Sequence, residues 1–360
     1  MEEIKRKISI FLPNLDGGGA EKSMAILANS FFDRGYHVDL IMSNARGPFL
    51  EILNKRIVCI DLKSPSVLRS LFKLANYFRK NSPDAVLTAL NYANVTAILA
   101  RIISGKNFRL IISEHNNNFN RKNINNSGIK IFGLMILVKV LYPFADVIVS
   151  VSKELSDEIK RNIVFNKQKV KYIYNTITFS DTKTDTTIKI PEPYVIAVGR
   201  LECQKNYSLL IKAFSLLTKH QQINLLILGE GSQRQLLERL VQELGLNEKI
   251  FLPGFVMNPS FYLSTSKLFV LSSDYEGFGN VLVEAMYSGI PIVSTNCKFG
   301  PNEILEGGKW GRLVEPGDAE GLCQAMLDTL NDPNPPEVKK RAKDFSLDKT
   351  VDDYLKVLFP

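Results

Sequence analysis

Leu268 to Ser294 reads LFVLSSDYEGFGNVLVEAMYSGIPIVS. Leu268–Ser272 is a short, uninterrupted apolar run, the pattern of a strand buried on both faces. DYEGFG follows as a glycine-bearing loop, Asn280–Ser288 has helix-spaced apolar residues, and Ile290–Ser294 is a second strand. Two strands joined through a helix make a parallel pair with a crossover, so this segment implies an α/β sheet.

The same alternation extends in both directions. Towards the C-terminus the next strand is Arg312–Val314, and before the segment come Ile250–Leu252, Asn224–Leu228 and Tyr194–Gly199. An earlier series comprises Ile8–Leu12, His37–Ser43, Ile57–Leu62, Ala85–Ala89, Leu110–Ser113, Val147–Val151 and Val170–Tyr174. Helical patterns intervene, among them Glu21–Asp33, Ser208–Leu217, Gln233–Leu244 and Ala319–Leu330. Two series predict two doubly wound, Rossmann-like domains, residues 1–178 and 194–340. Between them, residues 179–193 are polar, Thr-rich and closed by two prolines, as a linker would be.

The 360 residues are 45% hydrophobic and 23% charged, which excludes a disordered, collagenous or disulfide-rich chain. The net charge of +8 is unevenly placed. Residues 1–180 hold 26 basic and 14 acidic side chains, +12, whereas residues 181–360 hold 19 and 23, −4. The first half is therefore expected to face an anion: nucleic acid, lipid headgroups or a phosphorylated substrate. Cys59, Cys203, Cys297 and Cys323 are scattered, with no CxxC pair, so neither a zinc site nor a disulfide frame is indicated. Ile8–Leu12 reads as a first strand and not a signal peptide. Ile129–Ala145 is strongly apolar but contains Lys130 and Lys139 and is too short to span a bilayer.

Three clusters carry chemistry. Gly17, Gly18 and Gly19 open a helix directly after the first strand, where free N–H groups can meet an anion. Taken alone they fit a plain strand-to-helix turn equally well. Arg200 and Lys205 lie in the loop after Tyr194–Gly199, at the carboxyl edge where open α/β sheets bind ligands. A fork and a point charge there suit a diphosphate. Glu276 precedes the helix of the opening segment and Glu284 lies one turn into it. Both can reach a ligand at that helix start, although the spacing alone would be ordinary dipole complementation.

Together GGGAEK, SEH (Ser113–His115), VGRLECQKN, GEGSQRQLLE, FLPGF, SSDYEGFGNVLVEAM, GIPIVSTNCKFGPNEIL and GRLVEPGD resemble the retaining nucleotide-sugar glycosyltransferases of family 4. The match runs in order along nearly the whole chain and is densest over residues 194–330. The resemblance implies the GT-B fold, two domains facing a cleft, with residues 341–360 crossing back as a C-terminal helix onto the first domain. It implies that Arg200 and Lys205 clamp the donor diphosphate and Glu284 binds the ribose. Glu276 and the backbone of Gly277, Phe278, Gly279 and Asn280 should hold the donor sugar. Gly229 to Gly231 and Phe255 should border the base and ribose, Gly17–Gly19 should close over the diphosphate, and His115 should lie by the reacting carbon. Glu276 and His115 are thus the catalytic candidates. No Asp-x-Asp occurs in the chain, so no metal or other cofactor is expected.

Arg69 and Lys73 decorate the helical stretch Val67–Lys80, and Arg121, Lys122 and Lys130 surround the apolar segment Ile131–Val138. Cations flanking an apolar stretch read as a membrane-surface element, the alternative being a core helix with a solvated basic face. GGAE, SEH and GPNEIL look most like the members that build O-antigen, capsule, lipopolysaccharide or N-glycan precursors on a polyprenyl-pyrophosphate. The expected activity is transfer of N-acetylgalactosamine or galactose from a UDP-sugar to a lipid-linked saccharide, by a metal-independent same-face displacement. The expected location is cytoplasmic, at the inner face of the plasma membrane. A mannosyl- or glucosyltransferase, a sugar-nucleotide epimerase, and a nucleic-acid- or membrane-binding protein without transferase activity stand as alternatives; no nucleic-acid motif is present.

Overall fold

A computed structural model describes residues 6–115, 128–162, 166–177 and 189–360, except the side chains at 128–132, 134 and 135. Contacts divide the chain into two units, one of residues 1–176 with Leu347–Pro360, the other of Ile177–Ser346.

The first unit is built on seven described strands: β1 (Lys7–Leu12), β2 (His37–Met42), β3 (Val58–Asp61), β4 (Ala85–Ala89), β5 (Arg109–Glu114), β6 (Val147–Ser150) and β7 (Val170–Tyr172). They form one sheet in the order β3-β2-β1-β4-β5-β6-β7, with every pairing parallel. Helices α1 (Gly19–Asp33), α2 (Leu71–Asn81), α3 (Asn91–Ser104), α4 (Gly128–Leu141) and α5 (Lys153–Asn162) connect them. The order reverses beside β1, which is where such sheets open a ligand crevice.

The second unit has β8 (Tyr194–Val198), β9 (Asn224–Leu228), β10 (Ile250–Gly254), β11 (Leu268–Leu271), β12 (Ile292–Thr295) and β13 (Arg312–Val314). Their order is β10-β9-β8-β11-β12-β13, again parallel. Its helices are α6 (Tyr207–Leu217), α7 (Arg234–Glu243), α8 (Ser260–Thr265), α9 (Asn280–Ser288), α10 (Pro301–Ile304), α11 (Ala319–Leu330) and α12 (Val338–Ala342). The final helix, α13 (Leu347–Leu358), belongs to the first unit.

The two-residue period of a strand explains the layering. Ile8, Ile10 and Leu12 of β1 share a core with Leu27 and Phe31 of α1 and with Val351, Tyr354 and Leu358 of α13. Ser9, between them, points the other way, and its hydroxyl lies 2.9 Å from that of Tyr77 on α2. In the second unit Val195, Leu225, Leu268 and Val293 pack against Phe214 of α6, Val241 of α7 and Met326 of α11. The expected strands are all present, with ends moved by at most two residues. The stretch Val67–Lys80 differs in opening as a 3-10 turn, Leu68–Ser70, before α2 begins.

Candidate active site

The β8–α6 loop is closed by chain-local bonds. Asn206, at φ 45, caps α6 by accepting from Leu209 N at 3.2 Å. Its amide donates to Asp274 at 2.8 Å, and Gln204 donates to the Tyr275 carbonyl at 2.8 Å, lacing this loop to the one after β11. The lacing brings together two residues singled out in the sequence. Lys205 Nζ lies 2.6 Å from Glu276 Oε1, and the Ser273 hydroxyl donates to the same oxygen at 2.6 Å. Glu276 is only 6% exposed. A buried ion pair survives desolvation only when its remaining polar atoms are satisfied. Here Thr295 donates to the Ser273 carbonyl and Ser272 to the Lys205 carbonyl, which ties both loops to the sheet edge. The carboxylate's field is felt by its neighbours: burial, then Glu276, pushes the Cys297 thiol up to about 12. Burial and Glu276 likewise raise the Tyr207 phenol.

Glu276 stands just ahead of α9, whose N-cap is Gly279 at φ 100. Glu284 is half-buried at the fifth position of that helix. Gly277, Phe278 and Gly279 are buried and Asn280 half-buried. The Phe278 ring turns into the core, edge-on to Phe345 at 5.6 Å. Phe345 in turn lies under the Arg341 guanidinium, which donates to the carbonyls of Glu303 and Ile304 on α10, each at 3.0 Å. Arg341 and Phe345 thus brace the loop that carries Glu276. Their contribution was not legible in sequence, because nothing local marks a cation some forty residues downstream as a partner of α10.

The other donor-site candidates flank this centre. Arg200 is exposed and close enough to Glu202 to help lower its pKa, after the larger effect of two hydrogen bonds from Ser232. Gly229 and Gly231 press against the β8 loop: a Cβ would strike the Gly199 carbonyl from the first and the Leu201 backbone from the second. Phe255 follows β10 and is 45% exposed.

In the first unit Gly17, at φ 82, ends the β1 turn, Gly18 caps α1 and Gly19 is its first residue. A Cβ on Gly18 would collide with the Glu21 carboxylate. His115, directly after β5, is buried, and burial lowers its pKa to about 4. Glu114, on the opposite face of the strand, accepts from Asn94 at 2.9 Å and from Tyr142. Burial, partly offset by those bonds, raises its pKa to about 7.

These two shifts have opposite consequences for stability. Between about pH 4 and 6.5 the unfolded state binds a proton at His115 that the folded state refuses, so His115 makes stability fall on acidification. Between about pH 4.5 and 7 the folded state holds a proton on Glu114 that the unfolded state has lost, so Glu114 makes stability fall as pH rises. Over their shared window the slopes oppose. Glu114→Gln is expected to remove one of them, so that stability relative to wild type changes in favour of higher pH across pH 4.5–7. Urea melts at half-unit pH steps measure this, and parallel pH profiles for both proteins would contradict the assignment.

A cavity of about 340 Å³ lies at the carboxyl edge of β1, β2 and β3. Asn14, Asn44, Arg46 and Ser66 line it alongside Leu68 and Tyr92. Arg46 is paired with Asp16 at 2.8 Å. Tyr92 follows Leu90, a non-glycine residue at φ 77, in the turn that starts α3. Of the cationic candidates, Arg69 is exposed, while Lys73 Nζ donates to the carbonyls of Leu62 and Lys63 at 2.7 and 3.0 Å. Arg121 and Lys122 lie outside the described residues; Lys130 is on α4, its side chain not among those described. Among the described residues no group of His, Cys, Asp and Glu side chains is arranged to hold a metal.

Similarity to known proteins covers both units. Residues 17–180 match the model "Glycosyltransferase Family 4" and residues 179–345 match "Glycosyl transferases group 1". The N-acetylgalactosamine-N,N'-diacetylbacillosaminyl-diphospho-undecaprenol 4-alpha-N-acetylgalactosaminyltransferase of Campylobacter jejuni is 32% identical, over 98% of this chain and 99% of its own. The chain is a family 4 glycosyltransferase. A second Campylobacter jejuni relative is 28% identical over 98% of each chain. It is a GalNAc-alpha-(1->4)-GalNAc-alpha-(1->3)-diNAcBac-PP-undecaprenol alpha-1,4-N-acetyl-D-galactosaminyltransferase. Among solved structures, Anabaena HepE in complex with UDP and glucose aligns at TM-score 0.81 and 19% identity, over 98% of this chain and 99% of its own. Sucrose-phosphate synthase from Thermosynechococcus elongatus aligns at TM-score 0.83 and 19% identity, over 98% of each chain. These likenesses identify the glycosyltransferase GT-B fold.

Proposed function

We propose that the enzyme moves N-acetylgalactosamine or galactose from a UDP-sugar to a polyprenyl-pyrophosphate-linked saccharide, with retention of the anomeric configuration and without a metal. The observation that carries the donor half is the buried Lys205–Glu276 pair at the start of α9. When a glycosyl–phosphate bond breaks, negative charge grows on the leaving diphosphate. Lys205, Arg200 and the N-terminal amides of α9 offer it fixed positive ends that need no reorganisation. Glu276, held by Lys205 and Ser273, accepts hydrogen bonds from sugar hydroxyls, and Glu284 does the same for ribose. His115 meets the sugar in transfer. The leaving phosphate itself takes the proton of the acceptor hydroxyl on the face it departs from.

For the acceptor half, the cavity at Asn14, Asn44 and Tyr92 has amides for hydroxyl groups and an aromatic face for sugar C–H bonds. Leu68, which lines it, begins an exposed apolar strip with Phe72, 74% exposed. On α4 and just after it, Ile136, Leu137, Val140 and Phe144 are exposed around Lys139. Among the described residues no helix is long and apolar enough to cross a membrane. Exposed apolar side chains beside cations instead support association with the surface of the inner leaflet. The N-acetylgalactosamine transfers named for the two Campylobacter jejuni relatives support the choice of sugar and lipid-linked acceptor.

The test is an assay of purified enzyme with UDP-N-acetylgalactosamine, UDP-galactose, UDP-glucose and GDP-mannose against a synthetic polyprenyl-pyrophosphate disaccharide, with excess chelator. Transfer from the first or second donor as an α-linked product, by NMR, is the expected result. A β-linked product, dependence on a divalent cation, or use of GDP-mannose alone would overturn the reading. Release of an epimerised nucleotide sugar without acceptor would replace it by an epimerase.

A further inference from the structure

The ladder between β9 and β10 is interrupted near its carboxyl end. Ile250 and Phe251 pair with Leu225 and Leu226, and Gly254 pairs with Leu228, with a register shift in between. At that shift Arg234 Nη1 donates to the Leu252 carbonyl at 3.1 Å. Arg234 is the first residue of α7, and its Nη2 donates to the carbonyl of Gly229, directly after β9, at 3.5 Å. The same guanidinium grips Glu230 as a fork, Nε to Oε2 at 2.7 Å and Nη2 to Oε1 at 2.5 Å, while Nη1 meets Glu238 Oε1 at 2.9 Å. The fork lies against the α-carbon of Gly254: a Cβ there would come within 3.0 Å of Glu230 Oε1 and 3.8 Å of Arg234 Nη2. Phe255 is the next residue.

We propose that Arg234 is a positioning residue for donor binding: it sets the spacing between the Gly229–Gly231 turn and the exit of Phe255 from β10, the two walls that border the base and ribose. This rests on the reading that a UDP-sugar is held at the carboxyl edge of this sheet. Beyond the register shift one backbone bond joins the two strand ends, Gly229 N to Gly254 O at 2.8 Å. A single bond fixes a distance but leaves an angle free. A guanidinium carries its donors in one rigid plane, so it can hold two carbonyls and a carboxylate at once, which a lysine point charge cannot. The Arg200 side of the site is secured without it. Leu201 N donates to Glu230 O and Gln233 N to Leu201 O, each at 2.8 Å, and Ser232 donates to Glu202 from its amide and its hydroxyl. Removing Arg234 should therefore loosen the base side and leave the loop of Arg200 and Lys205 in place. Glu230 and Glu238 are about half exposed, and ion pairs of that exposure contribute little to stability, so the fold itself should not depend on them.

Calorimetric titration of the full-length enzyme with UDP, together with hydrogen–deuterium exchange by mass spectrometry, tests this in Arg234→Lys and Arg234→Gln. The Kd for UDP is expected to rise about tenfold, the worth of one hydrogen bond to a charged group, and donor KM with it, while kcat changes little. Exchange should quicken over residues 252–256 and stay unaltered over 199–206. Glu230→Gln, which keeps Arg234 on both carbonyls and weakens the fork, should shift UDP affinity in the same direction by less, and it serves if the Arg234 variants do not fold. Wild-type UDP affinity in a folded Arg234→Gln, a fall in kcat at unchanged donor KM, or equal quickening of exchange over both segments would overturn the proposal. Absence of UDP binding by the wild type would instead remove the donor reading, and the exchange data would still show whether Arg234 holds the two strand ends.

Discussion

Lys205→Ala is expected to lower kcat/KM about 10²–10³-fold, the scale seen when one fixed donor to developing charge is removed. It should also destabilise the second unit by about 3–5 kcal/mol, the usual cost of stripping one member from a buried ion pair. The stability loss follows from geometry. Glu276 has 6% of its surface in contact with solvent, and Lys205 Nζ, 2.6 Å away, is the cation that compensates it. Without the ammonium, the carboxylate keeps the Ser273 hydroxyl, which cannot balance a charge. Glu276→Gln separates the two effects: it keeps a carbonyl for Lys205 and Ser273 while removing the charge, so activity should fall with a smaller loss of stability. Urea denaturation and steady-state kinetics on the three proteins read both quantities. Near-wild-type activity in Lys205→Ala and in Glu276→Gln would dissolve the site assignment. Wild-type stability in Lys205→Ala would show that the pair opens to water.

The contrast between Lys205 and Tyr354 shows what was legible in the sequence. Lys205, Glu276 and Glu284 sit in loops or helix starts directly after apolar runs, so period and glycine content place them at a sheet's carboxyl edge without knowledge of any contact. Parallel strands with crossover helices follow from the same alternation, whereas the order reversal beside β1 and β8 does not, because a closed barrel alternates in the same way. Ser113 and His115 were visible as strand-end residues, but the approach of the Tyr354 hydroxyl to within 3.3 Å of Ser113 Oγ was not. The resemblance put a C-terminal helix on the first domain, but no local signal on LDKTVDDYLKVL says which of its side chains meets β5. The role of Lys73 was obscured for a related reason. A lysine on a basic helical face reads as solvated, whereas the 3-10 entry to α2 turns its ammonium back onto the carbonyls of Leu62 and Lys63. Side-chain chemistry at the ends of strands is local and was readable; partnerships that depend on which elements pack together were not.

Gly229→Ala and Gly300→Ala are expected to raise donor KM at least about tenfold and to destabilise the second unit by about 2–5 kcal/mol, the sum of a left-handed backbone penalty and an overpacking cost. At Gly229, φ is 156 and a Cβ would run into the carbonyl of Gly199; at Gly300, φ is 108 and it would run into the carbonyl of Phe278. In both cases the obstacle is backbone, which no rotamer change can move aside. The displaced loops are those that carry the site. Gly199 N donates to Leu228 O and Gly229 N to Gly254 O, so pushing Gly229 away shifts the β8 loop that bears Arg200. Pushing Gly300 away shifts the loop between Glu276 and α9. Gly317→Ala is the control. Its φ of 88 carries a similar dihedral penalty, but nothing lies within 4 Å of its Cβ position, so about 1–2 kcal/mol of stability and no donor affinity should be lost. If all three substitutions behave alike, the dihedral alone matters; if only Gly229→Ala and Gly300→Ala weaken donor binding, the close approach of the loops is what shapes the donor site.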